Sequence, residues 1–182
     1  MTSTPERTPL RCDVRIADEA ALADVAAALV ATLPRDAFIT LEGDLGAGKT
    51  TFVKAIASAA GINPAEVVSP TFGLIHVHAA PAGGVPLRLV HADMYRLADA
   101  SELHELGWED ALLCRHGGRT WAFVEWPGRI AQSLPDERLD IAIGIDSETA
   151  RTLSFTSRSP TYDAVIAAVS RRATRAPPRS RP

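Results

Sequence analysis

The residues with the clearest chemical purpose are Gly43-Asp44-Leu45-Gly46-Ala47-Gly48-Lys49-Thr50, a string of the form G-x-x-x-x-G-K-[ST]. Each residue class in it does a separate job on a polyphosphate. The glycines let the backbone turn tightly and bring its N–H groups against phosphate oxygens. Lys49 supplies a compact positive charge to the β- and γ-phosphates, and the Thr50 hydroxyl can enter a magnesium shell. Lysine usage gives an independent argument. Of 19 lysines and arginines in the chain, only Lys49 and Lys54 are lysines. A chain that otherwise uses arginine keeps a small ammonium where a planar fork fits poorly.

A phosphate loop needs acids to manage magnesium and position water. Asp93 follows the apolar run Leu87–Ala92, which is the Walker B pattern, and Glu125 follows Thr120–Val124 in the same way. At strand carboxyl ends, either acid can reach the metal or an attacking water. In Ser69-Pro70-Thr71-Phe72, Thr71 can offer a hydroxyl to magnesium or the γ-phosphate, as switch loops do. The same four residues also read as a proline-initiated turn into the next strand. His76 and His78 share one strand face, but no cysteine or second close histidine pair completes a zinc set. No N-K-x-D guanine-reading string occurs, which favours ATP over GTP.

These groups need an alternation of strands and helices to hold them. Ala37–Glu42 reads as the buried strand that enters the loop, and Thr51–Ala60 as the helix that leaves it, stopped at Gly61. Asp13–Ile16 is a further strand, after which Asp18 caps a helix running to Leu33 with Leu22, Val25, Ala26 and Leu29 as its buried stripe. Phe72–His78 and Leu87–Ala92 read as strands joined by the Pro/Gly-rich connector of residues 79–86. A helical segment over Ser101–Leu113 is interrupted at Gly107. Strands at Trp121–Val124, Arg138–Ile145 and Thr152–Thr156 precede a closing helix at Thr161–Arg172. The expected fold is a three-layer α/β domain with a mixed, mainly parallel sheet and helices on both faces.

Composition narrows the class. With 182 residues, 46% hydrophobic and 23% charged, the chain suits one globular domain, expected over residues 10–172. Residues 1–9 are Thr/Pro-rich and residues 173–182 basic and Pro-rich, so both are expected to be flexible tails. A net charge of −3 argues against a body that binds nucleic acid electrostatically. No apolar run approaches 18 residues and Met1–Arg15 has no signal-peptide pattern, so a cytoplasmic protein without a membrane segment is expected. Cys12 and Cys114 form no C-x-x-C unit and fit a reducing compartment.

Taken together, the loop with Thr51-Phe52, Ser69-Pro70-Thr71-Phe72, His91-Ala92-Asp93-Met94-Tyr95-Arg96-Leu97 and Glu125-Trp126-Pro127 resemble the TsaE (YjeE) family in order and spacing. This is the ATPase component of bacterial tRNA threonylcarbamoyladenosine synthesis. The resemblance runs from about Thr40 to Ile130. It implies a P-loop NTPase-like domain that hydrolyses ATP with Mg²⁺ in complex with TsaB-like and TsaD-like proteins, reaching tRNA only through the complex. Slow turnover alone and activation by partners are expected. Carried over by residue, Gly43, Asp44, Leu45, Gly46, Ala47, Gly48, Lys49, Thr50 and Thr51 form the nucleotide loop. Thr50 and Glu125 resemble the magnesium side, and Asp93 resembles the Walker B acid that orients water and also lies near the metal. Thr71 resembles the switch threonine, and Trp126 a tryptophan beside the nucleotide. Asp18 and Arg151 are candidates for contact with adenine or ribose. Three positions depart from the family pattern: Gly128, Ala92 and His104. The rival class is a small-molecule P-loop kinase, which would need a lid and a second basic cluster; neither is evident between Ala98 and Gly118.

Overall fold

In the computed structural model, which describes residues 7–70, 74–80, 85–99, 101–113 and 118–175, strands and helices alternate along most of the chain. The order begins β1 (Arg11–Ile16), α1 (Glu19–Thr32), β2 (Asp36–Glu42), α2 (Lys49–Ala59) and β3 (Ile75–Ala79). It continues with β4 (Leu87–Asp93), α3 (Glu102–Glu105), α4 (Trp108–Leu112) and β5 (Arg119–Glu125). The last elements are β6 (Leu139–Ile145), β7 (Arg151–Ser157) and α5 (Asp163–Arg175).

Among the described residues the strands form one sheet in the order β1-β7-β6-β2-β5-β4-β3. Its centre, β6-β2-β5-β4, is parallel, whereas β1-β7, β7-β6 and β4-β3 pair antiparallel. The sheet is mixed, as expected, with parallel pairing confined to the middle. Parallel strands require helical crossovers that cover both faces, and the core divides accordingly. On one face, α1, α2 and α5 pack their apolar stripes (Val25, Leu29, Phe52, Ile56, Val165, Val169) on Ile39, Leu41, Leu89 and Phe123. On the other, Leu103 and Trp108 of the short helices cover Phe38, Val90, Ala92 and Val124.

Period-two alternation makes one strand face change character along its length. On the α2 side, β4 presents Leu87, Leu89, His91 and then Asp93, and β5 presents Trp121, Phe123 and then Glu125. The apolar members sit in the core, and Phe123 meets the Phe52 ring edge-on at 6.4 Å. Each such aromatic contributes roughly 1.5–3 kcal/mol by leaving water. The acids are the next residues on the same rows. The core therefore positions the site.

Several expectations shift at their edges. Strand β3 starts at Ile75, not Phe72: Leu74 has φ 54, which an extended strand cannot accommodate, and residues 71–73 lie outside the described residues. The interruption expected at Gly107 is present and divides the helical segment into α3 and α4. A 3-10 segment at Pro127–Ser133 was not expected, since it carries no regular apolar period and opens on a proline. The described residues reach into both expected tails: Arg7 hydrogen-bonds Asp163 of α5, and α5 extends to Arg175, while residues 1–6 and 176–182 lie outside the described residues. Cys12 is a free, half-buried thiol, and Cys114 lies outside the described residues. Among the described residues no helix is long and apolar enough to cross a membrane.

Candidate functional site

The glycine string joins β2 to α2 at the carboxyl edge of the parallel strands, where ligands of open α/β sheets bind. Gly43 passes so close to β6 that a Cβ there would lie 2.6 Å from the Ile143 carbonyl oxygen. Gly48 is left-handed, φ 103, and leads directly into the first turn of α2. A side chain is excluded from the first position by contact and strained at the second by backbone conformation. The first turn of α2 thus begins at Lys49 with unpaired N–H groups facing the loop, a favourable place for an anion.

Lys49 is only 4% exposed. Its ammonium donates to the carbonyls of Gly43 at 2.7 Å and Asp44 at 3.0 Å, and lies 4.1 Å from the centre of the Trp126 ring. Trp126 in turn packs against the Tyr95 ring at 4.9 Å between centroids, tilted by 50°. Its backbone is left-handed, φ 57, a conformation costing a non-glycine residue roughly 1–2 kcal/mol. Backbone strain directly after Glu125 aims the indole back over the lysine.

Asp93 and Glu125 are opposite each other in the β4–β5 register. Both are buried. The Thr50 hydroxyl donates to Glu125 Oε1 at 2.8 Å, and His91 Nε2 lies 2.8 Å from that same oxygen. Asp93 accepts from the Ser69 hydroxyl at 3.2 Å through Oδ2 and from the Tyr95 backbone N–H at 3.0 Å through Oδ1. The Thr50–Glu125 bond thus ties the first turn of α2 to the end of β5, while Asp93, beside Glu125 on the ladder, is held by Ser69 and Tyr95.

Leu45, Gly46, Gly48, Lys49, Thr50 and Thr51 line one side of a cleft of about 450 Å³. Asp93, Glu125, Trp126 and Ser69 line the other. A second hollow of about 200 Å³ opens on the far side of the loop, where Ala47, Asp18 and Arg151 meet the apolar Ile16, Leu22 and Leu153. Here the polar groups are turned to the protein itself. Asp18 Oδ1 accepts from Ala21 N at 2.9 Å as the cap of α1. The Arg151 guanidinium donates to the carbonyls of Ala47 at 3.0 Å, Ser147 at 2.8 Å and Ala150 at 2.9 Å. Arg151 thus pins the glycine loop to β7. Thr71 lies outside the described residues.

Three polar side chains at the site had no assigned role from the sequence: Ser69, His91 and Tyr95. For His91 the signal was present. It stands two residues before Asp93 on a strand, hence on the same face. It also pairs across the ladder with His76, whose neighbour His78 is 6.2 Å away ring to ring. Burial, then the nearby His91 and His76, hold the His78 imidazole below its ordinary range.

The donor set suits a hard cation shared with a nucleotide. Among the described residues, no group of three or more His, Cys, Asp or Glu is arranged to hold a metal ion alone. The Thr50 hydroxyl and two carboxylates are instead a sparse oxygen set. Magnesium is commonly held that way, by one or two protein oxygens with water and phosphate completing the shell.

Comparison with known proteins adds an independent line. The family described as "Threonylcarbamoyl adenosine biosynthesis protein TsaE" matches residues 16–153. The Bacillus subtilis protein named tRNA threonylcarbamoyladenosine biosynthesis protein TsaE is 41% identical over 133 residues, covering 73% of this chain and 77% of that protein. A Rickettsia bellii protein of the same name is 32% identical, covering 72% of this chain and 85% of its own length. The crystal structure of Bacillus subtilis YdiB superposes with a TM-score of 0.65 and 29% identity, over 91% of this chain and 97% of that one.

Proposed function

The chain belongs to the TsaE family, and on that premise we propose that it is an ATPase subunit acting in tRNA threonylcarbamoyladenosine biosynthesis, working with TsaB-like and TsaD-like partners. The observation that carries the ATPase reading is the Thr50–Glu125 hydrogen bond of 2.8 Å beside Lys49, at the mouth of the glycine loop. It joins a phosphate-binding helix turn to a buried acid. A protein that only held nucleotide would not need that acid at the γ-phosphate end.

In this reading the triphosphate lies along the loop N–H groups. Lys49 exchanges its two carbonyl partners for β- and γ-phosphate oxygens. Thr50 and Glu125, with Asp93 alongside, are the residues that would hold Mg²⁺. When bound, the ion neutralises charge on the β- and γ-oxygens. Glu125 Oε2 has no hydrogen bond among the described residues, whereas both oxygens of Asp93 are engaged. Glu125 is thus the better-placed acceptor for the proton side of an attacking water. The water oxygen bonds the γ-phosphorus as the bridge to the β-phosphate breaks, releasing ADP and phosphate. Lys49 and the loop N–H groups stabilise the spreading charge. Partners activate the site by adding a positive charge to it.

The test is phosphate release from ATP by the full chain, alone and mixed with TsaB- and TsaD-like proteins. Slow release alone and a rise of at least tenfold in the mixture are expected. Release at tens per second without partners, a typical enzyme rate, would remove the partner-activation reading. No release under either condition would sink the ATPase reading itself.

A further inference from the structure

His91 is fully buried in the sheet, yet it carries two polar nitrogens. One of them, Nδ1, has no hydrogen-bond partner among the described residues. An unmet polar atom in that setting costs about 1–3 kcal/mol. The residues on either side, Val90 and Ala92, are apolar and also fully buried, so packing alone would be served by an apolar residue at 91. The other nitrogen makes one bond, to Glu125 Oε1 at 2.8 Å. Thr50 donates to that oxygen as well. Facing a carboxylate, Nε2 carries the proton and Nδ1 the lone pair, which fixes the tautomer.

We infer that His91 is a positioning residue for Glu125: its Nε2–H clamps Oε1 from below, so that Oε2 is the oxygen left to the cleft. The inference rests on the ATPase reading above and deepens it. Two donors on one oxygen leave the carboxylate a single orientation. Thr50 would also be needed to hold a magnesium ion; were it to turn away for that, His91 would be the contact still holding the acid. The imidazole is anchored on the rigid β4–β5 ladder, where His91 pairs with Phe123, so the clamp does not move with the loop.

The test compares two amides of similar polarity in the full chain with its partner proteins. His91→Gln puts an N–H near the position of Nε2; His91→Asn places it one bond short. Expected for His91→Asn is a fall in kcat of about 10–100-fold, the usual size of an outer-contact effect, with ATP binding changed less than threefold. His91→Gln should recover kcat to within about threefold of the parent. In a Glu125→Gln background, His91→Asn should add less than a twofold loss. Equal losses in the two amides, or a full further loss in that background, would overturn the assignment. A readout without nucleotide separates it from the ATPase reading: nitrogen-detected NMR of the histidine rings. It should show His91 as the Nε2–H tautomer with slow proton exchange; an Nδ1–H tautomer refutes the clamp even if ATPase is normal. An absent ATPase with the Nε2–H signal intact would instead fault the function and spare the contact.

Discussion

The two sides of the glycine loop use polar residues in opposite ways. Toward Glu125, polar groups converge on shared targets: the Thr50 hydroxyl and the His91 ring on one carboxylate oxygen, the Ser69 hydroxyl and the Tyr95 backbone N–H on Asp93, and the Lys49 ammonium against the Trp126 ring. Toward β7, the polar groups are spent on backbone: Asp18 on the start of α1, and Arg151 on three carbonyls. The first side has acceptors and donors that a polyphosphate can recruit. The second offers a small, mostly apolar hollow whose walls are braced. On the proposed reading, charge would grip the phosphates on the first side and shape would accommodate the base on the second.

The largest effect that would test this contrast is on Lys49. Lys49→Ala removes the one ammonium at the loop and should lower ATP turnover about 10²–10³-fold, as loss of a transition-state donor does. Single-turnover hydrolysis with saturating ATP measures it. A variant with near-parental turnover would mean that the convergent side is not the chemical one. Glu125→Gln comes next. It keeps the shape and the Thr50 contact but removes the charge, and should cost about 10²-fold in kcat. ATP affinity should stay within a few-fold. If affinity falls as much as kcat, Glu125 serves binding and the contrast is blurred.

The two sides also differed in how far residue types and spacing could reveal them. The loop, Asp93 and Glu125 were legible because each stands at the end of an apolar strand run, a local pattern with a local cause. The α/β class and all seven strands were legible for the same reason, as period two and period 3.6 are properties of short windows. Arg151 was not. Whether a guanidinium meets a ribose or the Ala47 carbonyl depends on a contact spanning more than a hundred residues, which no window contains. His91 lay between these cases. Its place on the face of Asp93 followed from alternation, but its bond to Glu125 needed the parallel register of β4 and β5. The left-handed Trp126 had no local signal at all, because a residue before proline is ordinarily extended.

Arg151→Met gives a smaller, more discriminating effect. The change keeps much of the apolar stem and removes the fork that ties the Ala47, Ser147 and Ala150 carbonyls together. Stability should fall by about 1–3 kcal/mol, the cost of leaving such groups without partners, seen as a lower urea midpoint. Affinity for ATP should fall only in step with that loosening, and ADP should be affected equally. A large, nucleotide-selective loss of affinity at unchanged stability would show the guanidinium reading the ligand directly.

Asp18→Ala is the smallest change and the cleanest. Asp18 opens α1, with extended backbone and its carboxylate on Ala21 N, so its removal leaves first-turn N–H groups less well satisfied. The expected cost is about 1 kcal/mol of folding stability. Because α1 packs its Val25 and Leu29 stripe beside α2 in the same core, the loss belongs to the whole fold and not to the hollow. Nucleotide affinity should therefore move less than twofold, and Asp18→Asn, which also caps, should restore the urea midpoint. The contrast between the two sides predicts this dissociation of stability from binding. It breaks if Asp18→Ala weakens ATP tenfold while the midpoint stays put, for then the carboxylate would be facing a ribose and the braced side would share the work of recognition.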